Sequence, residues 1–333
     1  MSKERIQISE ALYDIMPSDY QDLVKSATYG KEDRGWKDIG TSKELIEQHS
    51  LCAGCPESMA FRYILASLPN PEDTVMVGST GCTSLVFPMV AVHNIHSLFG
   101  NTAAVATGIA AALKVRGRSE VRVVAQGGDG GTTDIGFGCL SGMFERNDDV
   151  LYICYDNGGY MNTGIQRSSA TPPAARTATT LAVGDEPGNL FGQGKFVPAI
   201  AMAHEIPYVA TATVADLRDL EAKVRRAMAI RGARYLHILV PCPLGWGTAS
   251  HETIRIARLA KETGIFPVFE AEYGEVKSVL PIRRPLPVEE YLKPQKRYAH
   301  LFGAHPKVDV IARLQVLADR NIRKYGLLDE GAR

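Results

Sequence analysis

Between residues 74 and 240 the chain carries five short apolar runs rich in β-branched residues, at 74–78, 121–126, 150–155, 207–213 and 235–240. Each has strand length, and each is apolar nearly throughout rather than at alternate positions, as in a strand covered on both faces. The segments between them read as helices. Residues 55–68 place apolar side chains at Met59, Tyr63 and Leu65, 101–115 is almost entirely small and apolar, and 135–146 follows a glycine-rich turn. Residues 214–231 repeat apolar positions with a 3.6-residue period at Val214, Leu217, Leu220, Val224 and Met228. Strands alternating with helices predict an α/β fold, a parallel sheet flanked by helices.

The pattern changes at both flanks. Residues 1–48 are polar and charge-mixed and read as an N-terminal extension that wraps a neighbour, with short helices near 19–29 and 42–48. Residues 49–242 form the α/β domain. After Pro241 the alternation loosens, 281–300 is rich in Pro, Arg and Lys, and 306–325 reads as one amphipathic helix. Residues 243–333 are therefore expected to be a C-terminal extension that docks on this domain or on a partner.

Composition narrows the function classes. The 333 residues carry 37 Lys+Arg and 37 Asp+Glu, a formal net charge of zero, so no basic excess recommends nucleic acid or an anionic membrane as partner. A near-neutral surface favours association, and an oligomer or subunit is expected. No apolar stretch approaches the ~20 residues that span a bilayer, and the N-terminus lacks the apolar core of a signal peptide, which together predict a cytoplasmic protein. Six cysteines in a large cytoplasmic chain point to ligands or buried thiols rather than disulfides.

The chemistry concentrates at two places. In VVAQGGDGGTTDIG (123–136) a buried strand runs into a glycine turn and a helix start. Glycines there let the backbone approach a phosphate, yet Asp129 would repel one directly. The acid makes sense with Mg2+ between carboxylate and phosphate oxygens. Twenty-eight residues on, YDNGGYMNTG (155–164) ends the next strand, where Asn157 supplies a neutral oxygen and Gly159 its carbonyl. Adjacent parallel strands bring both turns to one C-terminal sheet edge, where α/β folds bind ligands.

The second place is the thiols. Cys52 and Cys55 form a CxxC pair, Cys82 follows the first strand and Cys242 follows the last, so four thiolates can meet beside the proposed phosphate site. A structural zinc, a redox dithiol at Cys52 and Cys55, and a [4Fe–4S] cluster all remain open on spacing alone. Cys139 and Cys154 lie within a helix and a strand and read as buried free thiols.

Taken in order, CxxC, GCT, GDG…DN…YMNTG, PCPLGW and RPLPVEEYLK resemble the β subunit of 2-oxoacid:ferredoxin oxidoreductases, the pyruvate synthase group, over roughly residues 49–300. The resemblance implies a thiamine diphosphate-binding fold of the diphosphate-binding type. It implies Mg2+ on Asp129, Asn157 and Gly159, with Gly128, Gly130 and Gly131 along the diphosphate. It assigns a [4Fe–4S] cluster to Cys52, Cys55, Cys82 and Cys242. Glu57 and Cys82 would touch the thiamine, Asn162 would reach the reacting carbonyl, and His96, in an IHxxFGN-like segment, would help shape the substrate pocket. The implied activity is oxidative decarboxylation of a 2-oxoacid (pyruvate, oxalate or an arylglyoxylate such as phenylglyoxylate), usually to the coenzyme A thioester. Electrons would pass to ferredoxin or NAD. The implied partners are an α subunit carrying the pyrimidine-side domain and γ and ferredoxin-like δ subunits. The acid that contacts the pyrimidine ring would come from another subunit, so this chain alone would be inactive. Two departures stand out: CAGCP replaces the more common CxGCG, and DNGGYMNTG replaces a DTEVYSNTG-like run, with Asn157 keeping an oxygen ligand.

His93 and His96, three residues apart in AVHNIHSLFGN, could share a helical face, though hydrogen-bonded histidines near the core are the plainer expectation. The loop RSSATPPAART (167–177) reads either as a selectivity loop beside Asn162 or as a simple connection.

Overall fold

The structure, a computed structural model, describes residues 49–189 and 194–328. The short helices expected near 19–29 and 42–48 lie outside the described residues. The described residues open with helix α1 (Glu57–Ala66), then β1 (Thr74–Gly78) and β2 (His93–His96). Helix α2 (Thr102–Val115) leads to β3 (Arg122–Gly128), a π-turn over Gly130–Ile135 and α3 (Phe137–Glu145). Strand β4 (Val150–Asp156), helix α4 (Val197–Ala203), β5 (Tyr208–Thr213), α5 (Leu217–Ala229) and β6 (Arg234–Leu239) complete the alternating part. A short helix α6 (Pro243–Trp246) and α7 (Thr253–Glu262) precede β7 (Phe269–Glu272) and β8 (Glu275–Val279). Helices α8 (Val288–Leu292) and α9 (Val308–Tyr325) follow.

These strands form one sheet in the order β2-β1-β3-β4-β6-β5-β7-β8. The first six are parallel, while β7 runs antiparallel to β5 and β8 antiparallel to β7. The parallel centre matches the sequence expectation; the sheet as a whole is mixed. The segment after residue 242, expected to dock on this domain or a partner, adds two antiparallel strands to the sheet edge. These strands are short and charged, FEAE and EVKSV, so they carry no apolar run that marks them.

Side chains alternate between faces along each strand. Val123, Ala125, Tyr152, Cys154 and Tyr235 meet Ala103 and Ala106 of α2, Leu140 and Met143 of α3 and Ala201 of α4 in one core. On the other face Phe61 of α1 stacks on Tyr155 at 5.8 Å between centroids, and α1 packs on α5. A smaller core gathers Trp246, Ile256, Leu259, Tyr291, Tyr298 and Leu314 of the C-terminal segment. Among the described residues no helix is long and apolar enough to cross a membrane.

One expectation is corrected. His93 and His96 lie on β2, an exposed edge strand, and not on a helix. Three residues apart on a strand, they point to opposite faces and cannot share one. The segment HNIH lacks apolar alternation because its sheet edge faces outward.

Candidate functional site

The parallel strands deliver β1, β3, β4 and β6 to one C-terminal edge, and the loops leaving them form the site. Pairing of Gly128 with Tyr155 sets the GDG turn beside the DN turn. A cleft of about 220 Å3 opens there, lined by Glu57, Cys82, Asp129, Asn157, Gly159 and Asn162, with Gly128, Gly130 and Gly131 on its floor.

Asp129 is buried, with 1% of its surface exposed. Burial, and then the charge of Asp156, hold its carboxyl well above the usual carboxylate range. Ser168 donates its hydroxyl to Oδ2, and the Asn157 backbone N–H donates to Oδ1 at 3.4 Å. Among the described residues no ion-pair partner reaches Asp129. The turn is tight by sequence: a Cβ on Gly130 would stand 2.5 Å from the Tyr160 ring. Tyr160 donates from its hydroxyl to Asp134 at 2.9 Å, closing the loop over the π-turn.

Asn157 faces this carboxylate across the cleft. One terminal position of its amide lies 3.0 Å from Asp129 Oδ1 and 3.0 Å from the Gly159 carbonyl oxygen. Held as an oxygen, that position puts three acceptors together with no hydrogen between them. Held as a nitrogen, it donates to both. Three converging oxygens, one a carboxylate, are the donor set of a small hard cation. Gly158, at φ +75°, makes the left-handed turn that brings Gly159 back to its neighbours, and its N–H donates to Asp156 at 2.9 Å. The Trp246 indole N–H donates to the Asn157 carbonyl at 2.7 Å.

Glu57 begins α1 beneath the cleft. It is almost fully buried, its Oε1 has no hydrogen-bond partner, and burial lifts its pKa to about 8. A protonated, unpartnered carboxyl facing a cleft is fitted to a polar ligand group rather than to the protein. A phosphate-bearing cofactor with a polar ring fits these residues: a cation cradle, glycines for close approach and an orphan buried acid.

The CxxC loop turns on Gly54, at φ +77°, where a Cβ would fall 2.3 Å from the Ser250 carbonyl; Cys55 N–H closes the turn onto Cys52. Burial pushes the Cys55 thiol up to about 12, with Glu57, Cys242 and Cys52 adding to it. Cys82 and Cys242 are raised too, first by burial and then by other charges that include neighbouring thiols. Thiols this desolvated, each acted on by the charge of another, deprotonate when a shared cationic ligand offsets their charge, which fits the donor chemistry of an iron–sulfur cluster. Among the described residues no three His, Cys, Asp or Glu side chains converge in the manner of a single-ion site. Cys82 also faces the cofactor side: its Sγ lies 3.5 Å from Asn162 Oδ1 and 3.9 Å from Asn157 Nδ2.

The structure thus brings Glu57, Cys82, Gly128, Asp129, Gly130, Gly131, Asn157, Gly159 and Asn162 into one cleft, and Cys52, Cys55 and Cys242 are near enough for their charges to act on Cys82. His96 stays outside, on the exposed strand, with Nε2 3.4 Å from Thr80 Oγ1. Sequence reasoning missed Ser168 and Trp246. Ser168 lies in the loop read as either selective or connecting, and Trp246 lies in PCPLGW, which was weighed only for its cysteine.

Three comparisons bear on this site. Residues 79–238 match the family model described as thiamine pyrophosphate enzyme, C-terminal TPP binding domain. The chain is similar to pyruvate synthase subunit PorB of Methanosarcina barkeri, at 46% identity over 85% of this chain and 97% of the relative. It is also similar to ketoisovalerate oxidoreductase subunit VorB of Pyrococcus abyssi, at 42% over 76% and 84%. Among solved structures, a 2-oxoglutarate:ferredoxin oxidoreductase from Magnetococcus marinus covers 86% of this chain and 98% of its own, with TM-score 0.57 and 22% identity, a likeness of fold.

Proposed function

Because the chain belongs to the β subunits of 2-oxoacid:ferredoxin oxidoreductases, we propose that it holds Mg2+, thiamine diphosphate and a [4Fe–4S] cluster in a complex that oxidises an aliphatic 2-oxoacid, pyruvate first. The single observation that carries the cofactor reading is the meeting of three oxygens, Asp129 Oδ1, the Asn157 amide and Gly159 O, at 3.0 Å contacts. Pyruvate is favoured over oxalate and arylglyoxylates because the relatives above carry pyruvate and ketoisovalerate in their names.

Bound at this edge, thiamine diphosphate would supply the electron sink for decarboxylation. The chain's own residues supply position and charge. Asp129, Asn157 and Gly159 hold the cation, and Ser168 fixes the far oxygen of Asp129 so that Oδ1 faces inward. Gly130 and Gly131 leave room for the diphosphate against the backbone. Glu57 offers a carboxyl proton to the cofactor from below. Asn162, exposed at the lip, is placed to donate to a substrate oxygen where negative charge develops. Cys52, Cys55, Cys82 and Cys242 would hold the cluster beside the cofactor, where it would supply one-electron acceptance.

The rim supports a subunit interface. Ile95, Leu98 and Ile135 are exposed, Leu98 at 76%, on the segments that flank the cleft residues Phe99 and Gly131. Exposed apolar side chains beside the cleft suit a covering partner, which would bring the pyrimidine-side acid.

The test is content analysis of the complex purified without oxygen. About four irons and four sulfides per copy of this chain, after subtracting those of partner subunits, with one thiamine diphosphate, support the reading. Zinc without sulfide defeats the electron-transfer part. Thiamine diphosphate without iron points to a decarboxylase or carboligase instead.

A further inference from the structure

The Asn157 amide has two ends, and they face different chemistry. One lies against Asp129 Oδ1 and the Gly159 carbonyl, 3.0 Å from each. The other lies 3.9 Å from Cys82 Sγ, within reach of a hydrogen bond to sulfur. An amide has one oxygen and one NH2, so what the first end meets decides what the second presents. With a cation among the three oxygens, the amide oxygen must face it, and the NH2 points at Cys82. Without one, the oxygen would sit against two acceptors. The amide then gains two hydrogen bonds by turning over, and its carbonyl oxygen faces the sulfur.

The two orientations have nearly the same shape, so neighbours need not move. The backbone of Asn157 is held in both, since Trp246 donates to its carbonyl at 2.7 Å and its own N–H reaches Asp129. Only the amide is left to respond. Among the described residues the other side-chain hydrogen bond at Cys82 Sγ is to Asn162 Oδ1 at 3.5 Å, on an exposed residue.

We infer that Asn157 is a positioning residue that couples the two halves of the site: a cation at Asp129 fixes an N–H donor on the Cys82 sulfur and so raises the reduction potential of the cluster that sulfur holds. The inference rests on the cofactor and cluster assignments above. Its physical basis is that reduction adds negative charge to the cluster, and a donor on a ligand sulfur stabilises that charge. The coupling is reciprocal, so reduction would tighten cation binding by the same factor.

The test uses the whole complex, purified without oxygen. Iron, sulfide and thiamine diphosphate are measured first; lack of a cluster overturns the parent reading and this one with it. With the cluster present, a one-electron titration followed by EPR is run with and without Mg2+ and thiamine diphosphate, on wild type and Asn157→Thr. Thr keeps an oxygen for the cation but has no second polar atom to reach Cys82. The cation's own charge acts on both proteins alike. The wild-type potential should rise further on loading, by about tenfold in the reduction equilibrium, the scale of one hydrogen bond to a charged group. For one electron that is about 59 mV. An equal rise in both proteins overturns the inference. Should Asn157→Thr lose its cofactors, wild-type complex carrying 15N-asparagine decides. A nitrogen coupling to the reduced cluster that appears with Mg2+ and vanishes with EDTA supports the coupling, and one indifferent to Mg2+ overturns it.

Discussion

The two ends of the parallel sheet both bury charge, and they handle it in opposite ways. At the N-terminal ends of β3 and β6, Arg122 and Arg234 are buried beside Asp149, which also pairs with Arg231; the contacts are 3.6, 3.0 and 2.9 Å. Both buried guanidiniums also donate to the Ile230 carbonyl. At the C-terminal ends, Glu57 and Asp129 are buried with no ion-pair partner among the described residues, beside thiols whose pKa values are raised. One end gives its buried charges a carboxylate and a carbonyl within the chain and so serves the fold, although three guanidiniums share Asp149 and, among the described residues, Arg122 Nε and Arg234 Nε have no hydrogen-bond partner. The other leaves anionic groups uncompensated, at a cost only an outside cation or proton offsets. A buried charge therefore marks function when its partner is absent from its own chain.

The comparison is broken most severely at the arginine end. Asp149→Ala strands two buried guanidiniums and should cost about 2–3 kcal/mol of stability, below the scale for removing one partner of a fully buried ion pair because Asp149 itself is 37% exposed. Urea unfolding checks it, and a loss below about 1 kcal/mol would show that the carbonyls alone suffice. The opposite end should behave in reverse. Asp129→Asn should leave metal-free stability unchanged or higher, because it removes a desolvated acid, while abolishing the stabilisation conferred by Mg2+ and thiamine diphosphate. In wild type that stabilisation is about 2.7 kcal/mol at 100 times the dissociation constant, so the melting temperature with and without cofactor separates the two proteins.

A smaller change sharpens the contrast. Ser168→Ala removes the hydroxyl donor on Asp129 Oδ2. It should weaken cofactor binding 10–100-fold, as loss of an outer partner of a metal ligand does, with little change in metal-free stability. Calorimetric titration of Mg2+ at saturating thiamine diphosphate reads this directly. The smallest effect is expected at Trp246→Phe, which keeps the ring in its core but drops the bond to Asn157 O. A loss of about 0.5–1.5 kcal/mol is expected, appearing in both stability and cofactor affinity because this residue joins the C-terminal core to the site.

Parts of the site were legible because they are local. GDGG announces a tight turn whatever surrounds it, and a strand on either side fixes the edge it occupies. The CxxC turn is likewise a matter of neighbouring residues. Ser168 was not legible, since its bond to Asp129 spans 39 positions and its loop offers only serine, threonine and proline as signal. Helix α7, TIRIARLAKE, carries helical spacing but lies after Pro241, where strands and helices no longer alternate regularly. Strand β2 and the β7–β8 pair escaped because HNIH, FEAE and EVKSV are short and polar or charged and carry no apolar run.

Alternation of apolar runs and helical segments was enough to determine a parallel-centred α/β sheet, and residue type at strand ends was enough to nominate Asp129, Asn157 and the four thiols. Both rest on short-range physics: periodicity, turn geometry and the donors each side chain owns. The tertiary structure decided what those groups face. Strand register set Asn157 against Asp129, the C-terminal core aimed Trp246 at the same loop, and the placing of β4 between β3 and β6 put Asp149, just before β4, where three arginines share it. Those relations depend on residues tens of positions apart meeting at ångström distances, and no local pattern encodes them.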